Sequence, residues 1–350
     1  MDIAIIGGGA SGLCSAICAA RNLRKKGLSG KITVLERSQK VGKKLLATGN
    51  GRCNLINENI SLSSFHGDIK IAESVFYRFG YNEISEFFSS LGLLTRTDSM
   101  GRVYPYSNRA DTVLSTLLLA CKQYGVEIIT DFTVIDIKRH KDKLEIISES
   151  CKISASSVII ACGSRANKGL GSNLGYELLG KIGVSYSPLF PSLTSVAVSE
   201  NISMLKGVRV RGNVKFLADK QIIHSEDGEI QFTDKSLSGI CVFNISRYAG
   251  EFFRLGTING NNCENIRIEL NLMPEYPFSE IISILQNRRK AFPKADCKEL
   301  LAGILDEKLA DYIAKKINNM KMMPFAPLFR ETIAPVYLSL IHISEPTRRS

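Results

Sequence analysis

Residues 43 to 54, Lys-Lys-Leu-Leu-Ala-Thr-Gly-Asn-Gly-Arg-Cys-Asn, carry more hydrogen-bonding groups and glycines than a core segment needs. Lys43, Lys44 and Arg52 are cationic donors, and Thr48, Asn50 and Asn54 are neutral ones. Gly49 and Gly51 let backbone approach a bound group closely. Upstream stands a second constellation, Gly7-x-Gly9-x-x-Gly12, with Glu36 beyond it. Between a strand and a helix, Gly7 permits a tight turn, Gly9 leaves room for a pyrophosphate, and Gly12 lets helix and strand pack closely. The N–H groups of Ala10, Ser11 and Gly12, with the helix dipole, then face the phosphates. Glu36 is placed to accept hydrogen bonds from a ribose, which favours a free 2′-hydroxyl over a 2′-phosphate. A glycine turn in an ordinary βα unit has no need of that acid.

The elements that must position these groups are legible from periodicity. Residues 2–6 read as a buried parallel strand. A helix follows, with Leu13, Ala16, Ile17 and Ala20 on one face, and closes at Gly27 and Gly30. Residues 31–35 form a second strand ending at Glu36. Helices are predicted over 70–91, with Phe76, Phe79, Ile84, Phe87, Phe88 and Leu91 toward a core, and over 109–124. Short strands follow at 126–130, 133–138, 143–148 and 150–153, then Val158–Ala161 running into Cys162-Gly163. Near residue 188 the composition shifts. Alternation at 194–198, 208–214, 228–233 and 266–270 predicts antiparallel strands, and 278–320 reads as helices.

Composition bounds the rest. The chain has 350 residues, 44% hydrophobic and 23% charged, which is ordinary globular usage. No run of about 18 apolar residues suits a membrane span. The N-terminus enters a strand without a basic leader, so a cytoplasmic protein is expected. Nine cysteines are scattered without C-x-x-C spacing, and only four histidines are available. Cys14 and Cys18 lie one helical turn apart without further ligands nearby in sequence, so they read as small buried hydrophobes and no metal site is expected. The net charge of +11 suits an anionic ligand or RNA. The basic run Arg21–Lys26 reads as a solvated helix end. No nucleic-acid motif or aromatic–basic interleaving accompanies it, so a small-molecule substrate is the expected partner.

Four stretches resemble a known family: ERSQKVGKKLLATGNGRCNLIN, GRVYPYSNRADTVLSTL, VIIACGSRANKGLGSNLGYELLGKIG and GEIQFTDKSLSGICVFNIS. They are similar to the BaiN-like NAD(P)/FAD-dependent oxidoreductases, also called aminoacetone-oxidase-like flavoproteins, from Met1 to about residue 325. The resemblance implies an α/β fold: a Rossmann-like FAD-binding domain (1–188) with an inserted β-barrel-like domain (189–275) and a helical subdomain (276–325), the last two shaping a substrate cavity. It implies FAD as cofactor, NAD(P)H as electron donor, and hydride transfer through flavin N5 to an activated C=C bond. Glu36 and Arg37 would meet the ribose, and Lys43 and Lys44 the anionic parts. Thr48, Asn50, Gly51, Arg52 and Asn54 would line the flavin. Val134 would meet the adenine, and Ala161, Cys162 and Gly163 would lie beside the dinucleotide. The family pattern there is Ala-Thr-Gly-Gly, from which Cys162 and Ser164 depart. Cys53 is expected to pack rather than to react. Gly169-x-Gly171-x-x-x-Gly175 has the wrong spacing for a second dinucleotide motif, and no catalytic acid or base stands out. An FAD-containing RNA-modifying protein and a non-catalytic flavin-binding fragment are the alternatives.

The end of the chain reads differently. The peptide from Leu338 to Arg348 is encoded by the end sequence of a transposase-based sequencing library. Residues 338–350 are therefore read as adapter-derived, against a natural strand and turn, and 326–337 as the start of a return to the FAD domain. Family members continue there with a glycine-rich segment that completes the sheet and caps the flavin.

Overall fold

The computed structural model describes residues 1–67, 69–166, 169–319 and 336–339. Strand β1 (Ile3–Ile6) lies at the centre of a parallel sheet, with β2 (Ile32–Leu35) on one side and the strand Ser157–Ile160 on the other. Glu127–Ile129 pairs beyond β2. Burial on both faces explains the unbroken apolar runs. Ile5 and Val34 belong to the core under the helices, whereas Ala4, Ile6 and Leu35 belong to the core on the opposite face. Helices α1 (Ala10–Lys25) and Ala110–Gln123 cover the first face. The second is covered by a three-stranded meander, Val134–His140, Lys143–Ser148 and Lys152–Ala155. From β1 the chain crosses to β2 on one side and returns much later as Ser157–Ile160 on the other. The order of connections thus reverses at β1, and its carboxyl end is the switch point where such sheets bind ligands.

Helix α1 buries Gly12, Leu13, Ala16, Ile17, Ala20 and Leu23. It stops because Gly27 takes φ +63°, so that Leu28 N–H reaches Leu23 O and Gly27 N–H reaches Arg24 O, satisfying the last carbonyls. Two expectations are corrected here. Arg21 is not merely solvated: its guanidinium donates to Tyr124 Oη and Ser90 Oγ, both at 2.9 Å, and lies over the rings of Phe87 and Tyr124. The helical stretch predicted over 70–91 is two helices, Ile69–Phe76 and Tyr81–Ser90. Phe79 lies in the break and is 60% exposed, while Phe87, Phe88 and Leu91 pack on the core.

The chain divides into two units, Met1–Tyr186 and Ser187–Ser350. The second is built on an antiparallel sheet in the order Val196–Ala197, Ser236–Ser238, Gln221–Phe232, Arg209–Ala218, Ile266–Asn271, Val336–Ser339. Among the described residues its strand order has two edges, and the sheet is a half-barrel. The two long strands join through Asp219 and Lys220, both at positive φ, as a two-residue hairpin needs. Sequence alternation names no helix between 199 and 277, yet Ile240–Leu255 is a helix of 16 residues. Its Ile-Cys-Val-Phe-Asn-Ile opening is rich in β-branched and aromatic residues. Only the spacing of Cys241, Ile245, Tyr248, Ala249 and Phe252 against one core betrays the 3.6 period. The helices Phe278–Ala291, Cys297–Leu301 and Glu307–Asn319 contribute Leu285, Leu301 and Ile313 to that same core. Of the tail and the stretch before it, only 336–339 are described. Val336 and Tyr337 pair with Leu270 and Glu269, and Leu338 and Ser339 continue that strand. The rest lies outside the described residues.

Burial, reinforced by the thiols of Cys18, Cys121 and Cys53, pushes the Cys14 thiol up to about 12, and burial pushes Cys121 up to about 11. In the unfolded chain both ionise near 9.0. Between those values the unfolded chain holds fewer protons, so stability falls as pH rises from about 9 toward 11, by at most about 1.4 kcal/mol per pH unit per thiol. Urea unfolding under a non-thiol reductant should show this slope, and the double variant Cys14→Ala, Cys121→Ala should reduce it, leaving the share of other buried thiols such as Cys162.

Candidate functional site

Three chain segments meet at the carboxyl edge of the parallel sheet. The first is the turn after β1. Gly7 has φ +111°, and a Cβ there would stand 2.4 Å from Ala161 O. A Cβ on Gly12 would stand 1.9 Å from Gly7 O. Gly9, by contrast, has nothing within 4 Å of its Cβ position. It begins α1, where no side chain caps the helix and no acidic residue occupies the first turn. The N–H groups of the exposed Ala10 and Ser11 and of Gly12 therefore open toward space with the positive end of the helix dipole behind them.

The second segment is the end of β2. Glu36 Oε2 accepts the Gly8 N–H at 2.8 Å, and Oε1 accepts the Ser38 N–H at 2.9 Å. These bonds fix the carboxylate beside the turn and leave lone pairs on each oxygen for a ribose. Arg37 is exposed and reaches Gly171 O at 3.4 Å.

The third is the end of Ser157–Ile160. Ala161 N–H continues the ladder to Ile6 O at 2.8 Å, and Gly163 has φ +76°. The Cys162 Sγ donates to Ile6 O at 3.5 Å. Burial raises that thiol to about 11, which keeps it a proton-bearing donor.

Helix α2 (Lys43–Ala47) ties the glycine-rich loop to this edge. Gly42 N–H bonds Gly8 O at 2.9 Å, and Lys44 Nζ donates to Ser164 O at 3.0 Å. Lys43 is exposed. Sequence reasoning missed Gly8, Val41 and Gly42. A Cβ on Gly8 would lie 2.5 Å from Val41 Cγ1, and Gly42 takes φ +76° against Leu114.

Beyond α2, Thr48–Gly51 is a tight turn with Gly49 and Asn50 both left-handed. Thr48 Oγ1 donates to Leu45 O at 2.6 Å, and Cys53 N–H to Thr48 O at 3.1 Å. The Arg52 guanidinium sits 5.0 Å over the Tyr104 ring, a partner not foreseen from sequence. Asn50, Gly51, Arg52 and Asn54 are exposed, whereas Cys53 is 6% exposed and belongs to the core. Burial raises the Cys53 thiol. Iodoacetamide at pH 8 should therefore label the exposed Cys151 while sparing Cys53, read by peptide mass spectrometry. Val134 opens the meander: at 1% exposure its side chain is core, and it pairs with Ser148 across the ladder.

This edge fits a dinucleotide. An uncapped helix N-terminus, an open glycine, an anchored carboxylate and a cationic amine converge on it. Residues 1–308 match the family described as HI0933-like protein Rossmann domain. The chain belongs to this family. It is 37% identical over 310 residues to a 3-dehydro-bile acid delta(4,6)-reductase of Clostridium scindens, covering 88% of this chain and 73% of that one. It is also 24% identical over 316 residues to a ribosomal RNA dihydrouridine synthase of Haemophilus influenzae, covering 88% of this chain and 72% of that one. The same named protein of Escherichia coli is 23% identical over 324 residues, covering 89% and 72%. The HI0933-like chain is an FAD-dependent oxidoreductase. The cofactor supplies hydride chemistry at its ring.

Proposed function

We propose that this HI0933-like enzyme reduces a carbon–carbon double bond activated by a neighbouring carbonyl in a small organic substrate, with NAD(P)H as electron donor. Identity of 37% along most of the chain to a reductase supports the reaction class. The convergence of Gly9, the first turn of α1 and Glu36 at the switch point is the observation that carries the cofactor side. In this reading Gly7, Gly9, Ala10, Ser11, Gly12, Glu36, Arg37 and Lys44 hold FAD through its diphosphate and ribose, Ala161, Cys162 and Gly163 lie beside it, and Val134 meets the adenine through its backbone. Lys43 and the Thr48–Asn54 turn meet the flavin end. We place the reaction in the cytoplasm, since nine cysteines are unpaired, as a reducing compartment keeps them. Among the described residues no helix is long and apolar enough to cross a membrane.

A second reading, reduction of a base in RNA, draws on the two ribosomal RNA dihydrouridine synthases and the net charge of +11. The two readings separate in one experiment. The FAD-loaded chain is reduced anaerobically with NADPH or NADH, then mixed with a cyclic enone or with ribosomal RNA. Rapid reoxidation by the enone alone supports the first. Reoxidation only by RNA, with binding that weakens steeply with salt, replaces it with the second.

A further inference from the structure

The turn after α2 holds a backbone conformation that its residues do not favour by themselves. Gly49, Asn50, Gly51 and Cys53 all take positive φ, between 54° and 81°. For Asn50 and Cys53 that region is unfavourable, and it persists only where the surroundings fix it, as they do at ligand sites. Two ties fix it here. Cys53 is buried in the core, and its N–H bonds Thr48 O at 3.1 Å. Leu55 N–H bonds Val103 O at 2.9 Å and Ile56 pairs with Val103, which sets the strand Arg102–Pro105 beside the turn. At its start the segment is joined to the switch-point edge, by Gly42 N–H on Gly8 O and by Lys44 Nζ on Ser164 O.

Arg52 stands between two of the left-handed residues. Its backbone N–H and its Nε–H both donate to Gly49 O, at 3.2 and 3.3 Å. Its guanidinium lies 5.0 Å over the Tyr104 ring. That ring is itself fixed: Tyr104 is 6% exposed, and its Cε1 is 3.7 Å from where a Cβ on Gly49 would stand. Among the described residues nothing else bonds the guanidinium, so Nη1 and Nη2 keep their N–H groups open on an exposed side chain. Ordering a long side chain costs rotamer entropy, which an arginine serving only solubility avoids. A cation held by an aromatic ring and one carbonyl, with its fork open, suits an anionic partner.

We propose that Tyr104 is a positioning residue, whose ring holds Arg52 as a fixed cation at the ring end of FAD. This rests on the reading above that the Thr48–Asn54 turn meets the flavin. When a dihydronicotinamide delivers hydride to flavin N5, its C–H bond breaks and an N–H bond forms with the same electron pair. NAD(P)+ is released, and the formerly neutral flavin ring carries one negative charge. Arg52 faces that charge and stabilises reduced cofactor over oxidised. Tyr104 acts only through Arg52, by keeping the guanidinium where the charge develops.

The test is the two-electron reduction potential of FAD bound to the full chain, titrated with dithionite against a reference dye, beside FAD affinity. Arg52→Gln should favour oxidised over reduced FAD by about 10-fold, a fall in potential of about 30 mV. Tyr104→Leu should lower the potential in the same direction, whereas Tyr104→Phe keeps an aromatic face and should keep the wild-type value. Arg52→Gln combined with Tyr104→Leu should fall no further than Arg52→Gln alone. Lost packing by itself would show in urea unfolding and leave the potential in place. Should Tyr104→Leu fail to fold, a ring-fluorinated phenylalanine at position 104 conserves the packing, weakens the cation–π attraction and should lower the potential likewise. A wild-type potential in Arg52→Gln at weakened FAD affinity overturns the proposal alone, as does a double variant in which the two shifts add. If Arg52→Gln changes neither potential nor affinity, or the wild type holds no FAD, the flavin reading of the turn falls and the proposal with it.

Discussion

Gly9→Ala should weaken FAD binding about 100-fold, equivalent to about 2.7 kcal/mol, while the apo chain stays within about 1 kcal/mol of wild type. Gly12→Ala should lose FAD and also destabilise the apo chain by about 3 kcal/mol. The same atoms are added in both cases, and their surroundings decide the difference. Gly9 has φ −81°, which an alanine adopts freely, and its Cβ position is open. An added methyl there fills only the space a pyrophosphate would use. At Gly12 the methyl would stand 1.9 Å from Gly7 O. That carbonyl follows a strand paired on both sides, so it has little room to retreat. Alanine gains about 1 kcal/mol over glycine inside a helix, which is too little to offset such a clash. Flavin fluorescence titration and denaturant unfolding of both variants check this. Wild-type affinity in Gly9→Ala would show that the phosphates do not pass over α1.

Glu36→Ala should destabilise the apo chain by about 2–4 kcal/mol, because two backbone N–H groups, Gly8 and Ser38, lose their acceptor at a part-buried position. Glu36→Gln keeps one oxygen acceptor but turns an NH2 toward the other N–H. It should cost less stability, yet still weaken FAD about 10- to 100-fold, since hydrogen bonds to a charged acceptor contribute about 1.5–3 kcal/mol. Thermal unfolding of the apo variants, beside FAD titration, separates the two losses. If Glu36→Gln binds FAD normally, the carboxylate serves the turn alone and the ribose assignment fails.

By itself the sequence determined the Rossmann-like FAD-binding fold of this protein and its dinucleotide motif. Gly7, Gly9, Gly12 and Glu36 were legible because a dinucleotide motif is local: one turn, one helix start and the end of the next strand fix all four. The strands of the first unit were legible for a similar reason, since two-sided burial in a parallel sheet writes itself as short apolar runs. The roles of Gly8 and Gly42 were not legible. Each depends on a side chain arriving from elsewhere, Val41 over one and Leu114 over the other. Arg21 and Arg52 read as solvated or ligand-facing from charge alone. Tertiary structure laid them on aromatic rings more than 50 residues away. The helix Ile240–Leu255 was hidden because its β-branched opening mimics a strand, and only packing against the half-barrel resolves the ambiguity.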